Sequence, residues 1–337
     1  FGHDASFRVT SETVTVGANT SSVAFGLDND DLLICASPST CSPAGTDALK
    51  ITLNAGNGLV TGSTHGLVTD TLTYNAFGEL ASYAGKVGVT GVFSEVVATT
   101  AVPRDALGRI VQRVETNGGA STTWRYAYDL RGRLIDVQKD GSLFEHYDYD
   151  GNGNRTLLTT PSGTTVGVYD AQDRLLSYGS TSYTYTANGE LRTKTDAGGT
   201  TTYTHDVRGN LVQVDLPSGD VIQYLVDGQD RRVGKKKNGV LEKAWLYRNQ
   251  LNPAAELDGA GNLVGRFVYG SKSNVPEYVV RGGVTYRVLS DHLGSPRALG
   301  VVATGTVAWS AFPNAWGSRS PIAGTPEFVT ICSAGGM

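Results

Sequence analysis

The sequence is dominated by one short phrase: an aromatic residue, Asp or Asn, two variable residues, Gly, a polar residue and an aliphatic one. Each copy of such a phrase is one supersecondary unit that stacks on its neighbours, so the repeat constrains the architecture before it indicates any chemistry. The stronger copies are YNAFGEL from Tyr74, YDLRGRL from Tyr128, YDGNGNR from Tyr149, YTANGEL from Tyr185 and THDVRGNL from Thr204.

The glycine of the phrase returns at short intervals. Asp173 and Asp230 hold the register where no Gly stands, and successive positions from Gly108 onward are 16 to 24 residues apart. That length accommodates two strands of about 6 to 8 residues and two tight turns, but no helix. Asp and Asn hydrogen-bond the local backbone, and Gly adopts the positive φ that hairpin turns need. The repeat turns are therefore predicted at Gly78, Gly108, Gly132, Gly153, Gly189 and Gly209.

Side chains between the turns alternate with the period of a strand, as in Trp124, Tyr126 and Tyr128. The 43 glycines in 337 residues exceed the usual share of roughly 7%. The sequence therefore predicts an all-β fold, a continuous antiparallel ribbon of β-hairpins. Such a ribbon has no helix to cover it, so curling into a closed wall stabilises it. The mixed Tyr, Thr, Arg and Asp faces predict that this wall is wet on both sides.

Charge and hydropathy exclude several classes of partner. The formal net charge is −4, and positive charge is scattered except at Lys235 to Lys237, which we interpret as a solvated hairpin tip. A nucleic-acid surface needs a basic stripe, so no nucleic-acid partner is expected. No apolar stretch approaches the roughly 18 residues that cross a bilayer. The N-terminus has neither an initiator Met nor a signal peptide, which suggests a piece of a longer protein.

The three cysteines leave the compartment open. Cys35 and Cys41 flank Pro38 and either close a small disulfide loop in an oxidising space or remain two free thiols, and Cys332 is left over. No His or further Cys stands at ligand spacing, so neither a metal nor another cofactor is expected.

No catalytic constellation is recognisable. The strongest candidate is the segment SDHLGSPR, which brings Asp291, His292, Ser295 and Arg297 together within a few residues. Adjacent Asp and His side chains would point to opposite faces of a strand, which is poor geometry for a dyad. We therefore interpret the segment as structural, with Gly294 and Pro296 shaping a turn, and predict no enzymatic activity. The structural motif comprises Asp291, His292, Leu293, Gly294, Ser295, Pro296 and Arg297; the other histidines are His3, His65, His146 and His205.

The order of these segments resembles Rhs-repeat (YD-repeat) proteins over roughly residues 20 to 320. The resemblance rests on the YD phrases and on the later run through Trp245-Leu246-Tyr247, Phe267 to Gly270, Asp291 to Arg297, Trp309 and Trp316-Gly317. Related shells occur in bacterial polymorphic toxins, the Tc toxin cocoon and the teneurins of animals. The resemblance implies a hairpin ribbon that spirals into a hollow shell, which in bacterial members sequesters a C-terminal toxin.

The resemblance also implies a division of the chain. Residues 1–70 would be degenerate YD-like repeats, 71–235 the YD-repeat hairpins, 236–317 the later Rhs shell with the Asp291–Arg297 segment, and 318–337 an irregular end. Bacterial members continue into a plug, an Asp-based self-cleaving site with a following Asp-Pro-x-Gly-Leu signature, and a variable toxin. None of these is in the sequence, so an incomplete shell is expected and no autoproteolytic residue can be assigned.

Two function classes follow. The first is a structural container whose partner is its own C-terminal toxin or effector, secreted with the help of secretion-system components. The second is a cell-surface adhesion or glycan-binding protein, in which exposed tyrosines and tryptophans stack on sugars. Both place the protein outside the cell or on its surface. A β-propeller is the competing fold, but its blades repeat at about 40 to 45 residues.

Overall fold

The computed structural model describes residues 1–41, 47–99, 104–313 and 319–321. The secondary structure in these ranges consists of strands and turns, with no helix, so the predicted all-β fold is confirmed. Trp316, Gly317, Cys332 and most of the irregular end expected at 318–337 lie outside these ranges. The chain divides into two compact units: unit 1 comprises Phe1–Trp124 and Leu263–Met337, and unit 2 comprises Arg125–Asn262.

Unit 1 holds two groups of strands. The N-terminal group is β1 (Gly2–His3), β2 (Val9–Val16), β3 (Asn19–Leu27), β4 (Leu33–Ser37), β5 (Leu49–Leu53), β6 (Val60–His65), β7 (Val68–Tyr74), β8 (Leu80–Val87), β9 (Thr90–Val96), β10 (Gln112–Asn117) and the start of β11 (Ala120–Tyr128). The C-terminal group is β25 (Leu263–Val268), β26 (Tyr278–Arg281), β27 (Val284–Ser290), β28 (Pro296–Val301), β29 (Thr306–Pro313) and β30 (Arg319–Pro321).

Unit 2 holds the most regular repeats. After the end of β11 its strands are β12 (Leu134–Lys139), β13 (Ser142–Tyr149), β14 (Arg155–Thr160), β15 (Gly163–Tyr169), β16 (Leu175–Tyr178), β17 (Thr181–Tyr185), β18 (Leu191–Asp196), β19 (Gly199–His205), β20 (Leu211–Asp215), β21 (Val221–Val226), β22 (Arg232–Lys237), β23 (Val240–Tyr247) and β24 (Pro253–Asp258). Lys235–Lys237 thus end a strand beside the Asn238-Gly239 turn.

Within each unit, strands that are neighbours in sequence pair antiparallel, which confirms the predicted hairpin ribbon. In unit 2 the pairing runs from β12–β13 through β23–β24, and in unit 1 from β1–β2 through β9–β10. The register slips by one residue where a strand enters a YD turn, for example between Asp148 and Tyr149 or between Thr184 and Tyr185. An extra residue beside a positive-φ glycine is a β-bulge, which increases the local twist of the strands.

The expectation of a wall that is wet on both sides is wrong for unit 1. Three clusters of buried apolar side chains lie there, and two of them join the N-terminal to the C-terminal strands. One joins Leu49 to Tyr278, and another joins Val68 to Leu289. The apolar runs of β25 to β28 supply bulk that the hydroxyl-rich YD strands lack, so they cover the N-terminal strands and exclude water.

Candidate functional site

In the YD turns that contain an Asp at the second position, the Asp side chain organises the turn. In the turn from Asp129 to Arg133, Oδ1 of Asp129 accepts hydrogen bonds from the amides of Arg131 and Arg133, both at 2.9 Å, and Oδ2 accepts one from Nε of Arg133 at 2.7 Å. Donation by the Arg133 amide, together with the Arg133 side chain, keeps the pKa of Asp129 below its ordinary value. The same bonds recur at Asp105, Asp170 and Asp227.

The fourth position of each turn has a left-handed backbone. At the six glycines assigned to repeat turns, φ lies between 77° at Gly78 and 100° at Gly153. Asp173 and Asp230 occupy the same position with φ of 60° and 61°, which costs a residue with a Cβ about 1 kcal/mol relative to Gly. Both carboxylates compensate by binding the preceding repeat turn. Asp173 accepts from Asn154 at 2.7 Å, and Asp230 accepts from Asn210 at 2.9 Å.

The aromatic residue of the phrase couples each repeat, meaning a YD turn with its two flanking strands, to the repeat before it. The hydroxyl of Tyr149 donates to the carbonyl of Leu134 at 2.7 Å, and the Arg133 guanidinium lies 4.7 Å from the Tyr149 ring centroid. Burial raises the pKa of Tyr149, so the phenol remains a donor. The phrase YD is thus a coupling device, because its Tyr binds the previous repeat while its Asp closes the turn. Equivalent hydroxyl–carbonyl bonds start from Tyr74, Tyr169, Tyr185 and Tyr247.

The Asp291–Arg297 segment has the same turn geometry, which corrects the premise that Asp291 and His292 share a strand. β27 ends at Ser290, and Oδ1 of Asp291 accepts from the amides of Leu293 and Ser295 at 3.1 and 2.8 Å. Gly294 has a φ of 81°. Unlike the YD turns, this one has a buried carboxylate, and burial raises the pKa of Asp291.

His292 binds an acid that the sequence did not indicate. Its amide and Nδ1 lie 2.6 and 2.9 Å from the two carboxylate oxygens of Glu95, in β9. The carboxylate of Asp291 instead accepts from the turn amides and lies 3.9 Å from Nη1 of Arg297. The side chains of the segment are therefore not arranged as a Ser–His–Asp relay, in which the acid must orient the imidazole towards a nucleophile.

Four such pairs, which we call the seam, join the two strand groups of unit 1. Every acid of the seam comes from the N-terminal group, and every arginine or histidine of the seam comes from the C-terminal group. Nη2 of Arg266 lies 2.5 Å from Glu12, and Nη2 of Arg287 lies 3.1 Å from Asp70. The seam consists of Glu12–Arg266, Asp70–Arg287, Glu95–His292 and Glu115–Arg297.

The Asp70–Arg287 pair has the densest network. The Arg287 guanidinium also donates to Ser63 at 2.9 Å and to the carboxylate of Glu277 at 2.7 Å. Ser63 in turn donates to Asp70 at 2.8 Å. Burial favours the neutral form of Arg287, but the charges of Glu277 and Asp70 outweigh it and raise the pKa of Arg287. Ionised groups in such a site remain charged because each one has an opposite charge and hydrogen bonds.

One feature of the sequence indicates the seam, although the repeat pattern makes this feature hard to notice. Arg266, Arg287 and Arg297 stand inside apolar strand runs, as in Tyr286-Arg287-Val288-Leu289. Arginine is rarely fully buried unless it is paired, so an arginine in such a run indicates a buried acid elsewhere in the chain. The identity of the acid is not indicated, because it lies about 200 residues away.

The remaining features of the described residues do not indicate a cofactor site. Among the residues that the structure describes, no group of three or more His, Cys, Asp or Glu side chains is arranged to hold a metal ion, and no helix could span a membrane. Cys35 and Cys41 form a disulfide. An open depression of about 310 Å³ on unit 2 is lined by Gln213, Gln223 and Lys236. It offers polar contacts, but glycan binding stays a proposal.

Comparisons with known proteins agree with this architecture. The family profile Teneurin YD-shell matches residues 43–318. Teneurin-4 of Mus musculus is 24% identical over 244 residues, which cover 70% of this chain and 8% of that protein. Teneurin-3 of Danio rerio is 25% identical over 217 residues, covering 62% and 8%. The tRNA3(Ser)-specific nuclease WapA of Bacillus spizizenii is 27% identical over 162 residues, covering 46% and 7%.

A solved structure is also similar. The crystal structure of TcdB2-TccC3-Cdc42 covers 96% of this chain and 24% of its own chain, with 11% identity and a TM-score of 0.45. The chain spans about 8% of the length of the teneurins that it matches. The family profile covers most of the chain, which confirms the resemblance stated from the YD phrases. The chain belongs to the teneurin YD-shell family.

Proposed function

We propose that this chain is a wall segment of a shell that encloses a polypeptide cargo, an effector carried by the same parent protein. The segment acts by shape and by exclusion of solvent and proteases, not by catalysis. Its proposed structural motifs are the repeat turns and the Asp291–Arg297 turn.

The observation that carries this proposal is that neighbouring repeats of unit 2 are held together by contacts of their polar and aromatic side chains. The Tyr149 hydroxyl, the Arg133 guanidinium and the Asp173 carboxylate all contact the adjacent hairpin. Few apolar side chains of unit 2 are buried. A sheet that is stabilised from hairpin to hairpin does not need a central core, so it can form a wall around an enclosed volume. The buried apolar residues of unit 2 are Val137, Tyr147, Val214, Ala254 and Ala255.

Two further observations support an enzymatic effector as the cargo and a location outside the cell. One relative, WapA, is named as a tRNA-specific nuclease, which fits a family whose walls accompany an enzymatic effector. The Cys35–Cys41 disulfide is typical of proteins that fold or act in an oxidising space, which supports action outside the cell.

Limited proteolysis of the full-length parent protein tests the proposal. We expect the segment that follows the wall to resist a protease in the intact protein and to be cut within the same time after the wall is opened. Arg287→Ala is suited to opening the wall because it leaves Asp70 and Glu277 without their cation. The control is Arg208→Ala, which removes an exposed ion pair with Asp230 in unit 2.

The expected result is cargo cleavage in the Arg287 variant and continued protection in the Arg208 variant. Equal cleavage of the cargo segment in the intact and opened proteins would show that nothing is sheltered. Hydrolytic activity that resides in residues 1–337 alone and is lost in His292→Ala would contradict the non-enzymatic part of the proposal.

A further inference from the structure

His65 lies at the centre of unit 1, where the seam and the apolar clusters meet. It ends β6, its side chain is 1% exposed, and its ring packs edge-on against Tyr278 with centroids 4.7 Å apart. Its Nε2 lies 3.0 Å from the carbonyl oxygen of Asp47. A carbonyl only accepts, so we assign the neutral Nε2–H tautomer, in which Nδ1 carries no proton.

The surroundings of His65 do not accommodate a second proton. Nδ1 has no hydrogen-bond partner among the described residues, so a proton there would be a buried donor without an acceptor. The charged groups that act on His65 are Arg287, whose positive charge opposes protonation, and Glu277 and Asp47, whose negative charges favour it. Glu277 is already neutralised by its 2.7 Å contact with Arg287. Burial is the largest effect and lowers the pKa of His65 to about 4.

Protonation of His65 would act directly on the contact between the two strand groups. Tyr278 begins β26 and belongs to the same apolar cluster as Leu49, the N-terminal strand residue that pairs with His65. Arg287, the cation of the neighbouring seam pair, lies in the next strand, β27. An imidazolium at this point would place a positive charge near Arg287 and beneath a dry cluster. Separation of β26 and β27 from the N-terminal strands would hydrate it.

We infer that the contact between the two strand groups of unit 1 is acid-responsive, with His65 as its proton acceptor. Mild acid opens this contact while the YD hairpins of unit 2 remain paired. The inference does not depend on an enclosed cargo, because it concerns only contacts within unit 1.

The direction of the pH dependence follows from the difference between the pKa of His65 in the folded state and its ordinary value. Since the folded-state pKa is lower than the ordinary 6.5, the stabilisation from neutral His65 is complete above pH 6.5 and is lost as the pH falls towards 4. The equilibrium constant for separation of the two strand groups is therefore about 20-fold larger at pH 5 than at pH 7. Two buried carboxylates of unit 1 also have shifted pKa values. Burial opposes ionisation of Glu277, but Arg287 and Lys272 outweigh it, so its contribution is also lost in acid. Asp291, with its raised pKa, acts in the opposite direction.

Hydrogen exchange of the backbone amides of residues 278–290 tests the inference. Protection is measured from pH 7 to pH 5 and corrected for the intrinsic exchange rate at each pH. We expect protection in wild type to fall about 20-fold over this range. His65→Gln and His65→Leu, which cannot be protonated, should show a flat profile. The control is His146→Gln in unit 2, since His146 is partly exposed and pairs with Asp136 at 2.7 Å; this variant should retain the wild-type profile.

Two outcomes would overturn the inference: unchanged protection of residues 278–290 in wild type between pH 7 and pH 5, or the same fall in the His65 variants as in wild type. If both His65 variants fail to fold, an NMR titration of the His65 ring in wild type decides instead. A midpoint near 4 that is accompanied by loss of protection supports the inference. A midpoint at the ordinary value of 6.5 refutes it.

Discussion

The two units are stabilised over different distances along the chain. In unit 2 the side-chain hydrogen bonds that couple repeats join residues 10 to 23 apart, such as Tyr149 with Leu134 or Asn152 with Asp173. In unit 1 the seam joins Arg266 to Glu12 across 254 residues, through charges that are buried. Local coupling tolerates loss of one contact because each contact is small and either exposed or only partly buried. A long-range buried contact does not, since each partner depends on the other for its charge balance.

The largest difference between the units is expected from removal of a seam cation. Arg287→Ala leaves the Asp70 and Glu277 carboxylates buried without their partner, which should reduce the free energy of unfolding of unit 1 by about 3–5 kcal/mol. Arg208→Ala, in the exposed pair with Asp230 of unit 2, should cost about 1 kcal/mol or less. Urea denaturation of both variants measures the two values. Equal losses would remove the distinction between the units.

A smaller effect is expected from the close packing of unit 1. A Cβ at Gly300 would lie 2.7 Å from Val87 and 2.8 Å from Val68, so Gly300→Ala should destabilise unit 1 by about 1–3 kcal/mol. Gly91 is the matched control, because a Cβ there would have no atom within 4 Å and its φ is not positive. A thermal melt in which the two variants have the same midpoint would show that the strand groups are not tightly packed.

In unit 2, loss of one repeat coupling should have a modest effect. Tyr149→Phe removes the 2.7 Å bond to the Leu134 carbonyl and should cost about 0.5–1.5 kcal/mol. Tyr183→Phe serves as the control, since the Tyr183 hydroxyl makes no hydrogen bond within the part of the chain that the structure describes. Urea midpoints of the two variants provide the measurement. A Tyr149 variant that is as stable as the Tyr183 variant would remove the coupling role assigned to the phrase.

The smallest effect is expected at a turn without glycine. Asp173→Gly relieves the backbone cost of a positive φ but removes the carboxylate that accepts from Asn152 and Asn154. The two changes oppose each other at about 1 kcal/mol each, so stability should change by about 0.5 kcal/mol or less. Asp173→Ala removes the carboxylate and keeps the backbone cost, and it should be less stable than Asp173→Gly in the same urea titration.

Sequence reasoning predicted the parts of the fold that are encoded within a few residues. The turn at Asp129 needs only its own carboxylate, Gly132 and Arg133, so a single phrase specifies it. The ribbon follows from the repetition of that phrase. The dry clusters and the identity of the seam partners could not be predicted, because His292 and Glu95 are 197 residues apart and no sequence pattern links them. The backbone hydrogen bonds of the Asp291 turn resemble those of the YD turns, so the sequence pattern does not reveal that its carboxylate is buried.

The backward reach of the repeat tyrosine has a consequence for the order in which the chain acquires structure. Tyr149 bonds to Leu134, which precedes it, so a hairpin emerging during synthesis finds its partner already present. The ribbon can therefore grow from the N-terminus one hairpin at a time, with only short loops to close at each step. The seam cannot form until residues 266–297 have been synthesised, because they supply the partners of Glu12, Asp70, Glu95 and Glu115. We expect nascent chains that end before Leu263 to contain ordered repeats and an N-terminal strand group whose acids are still hydrated.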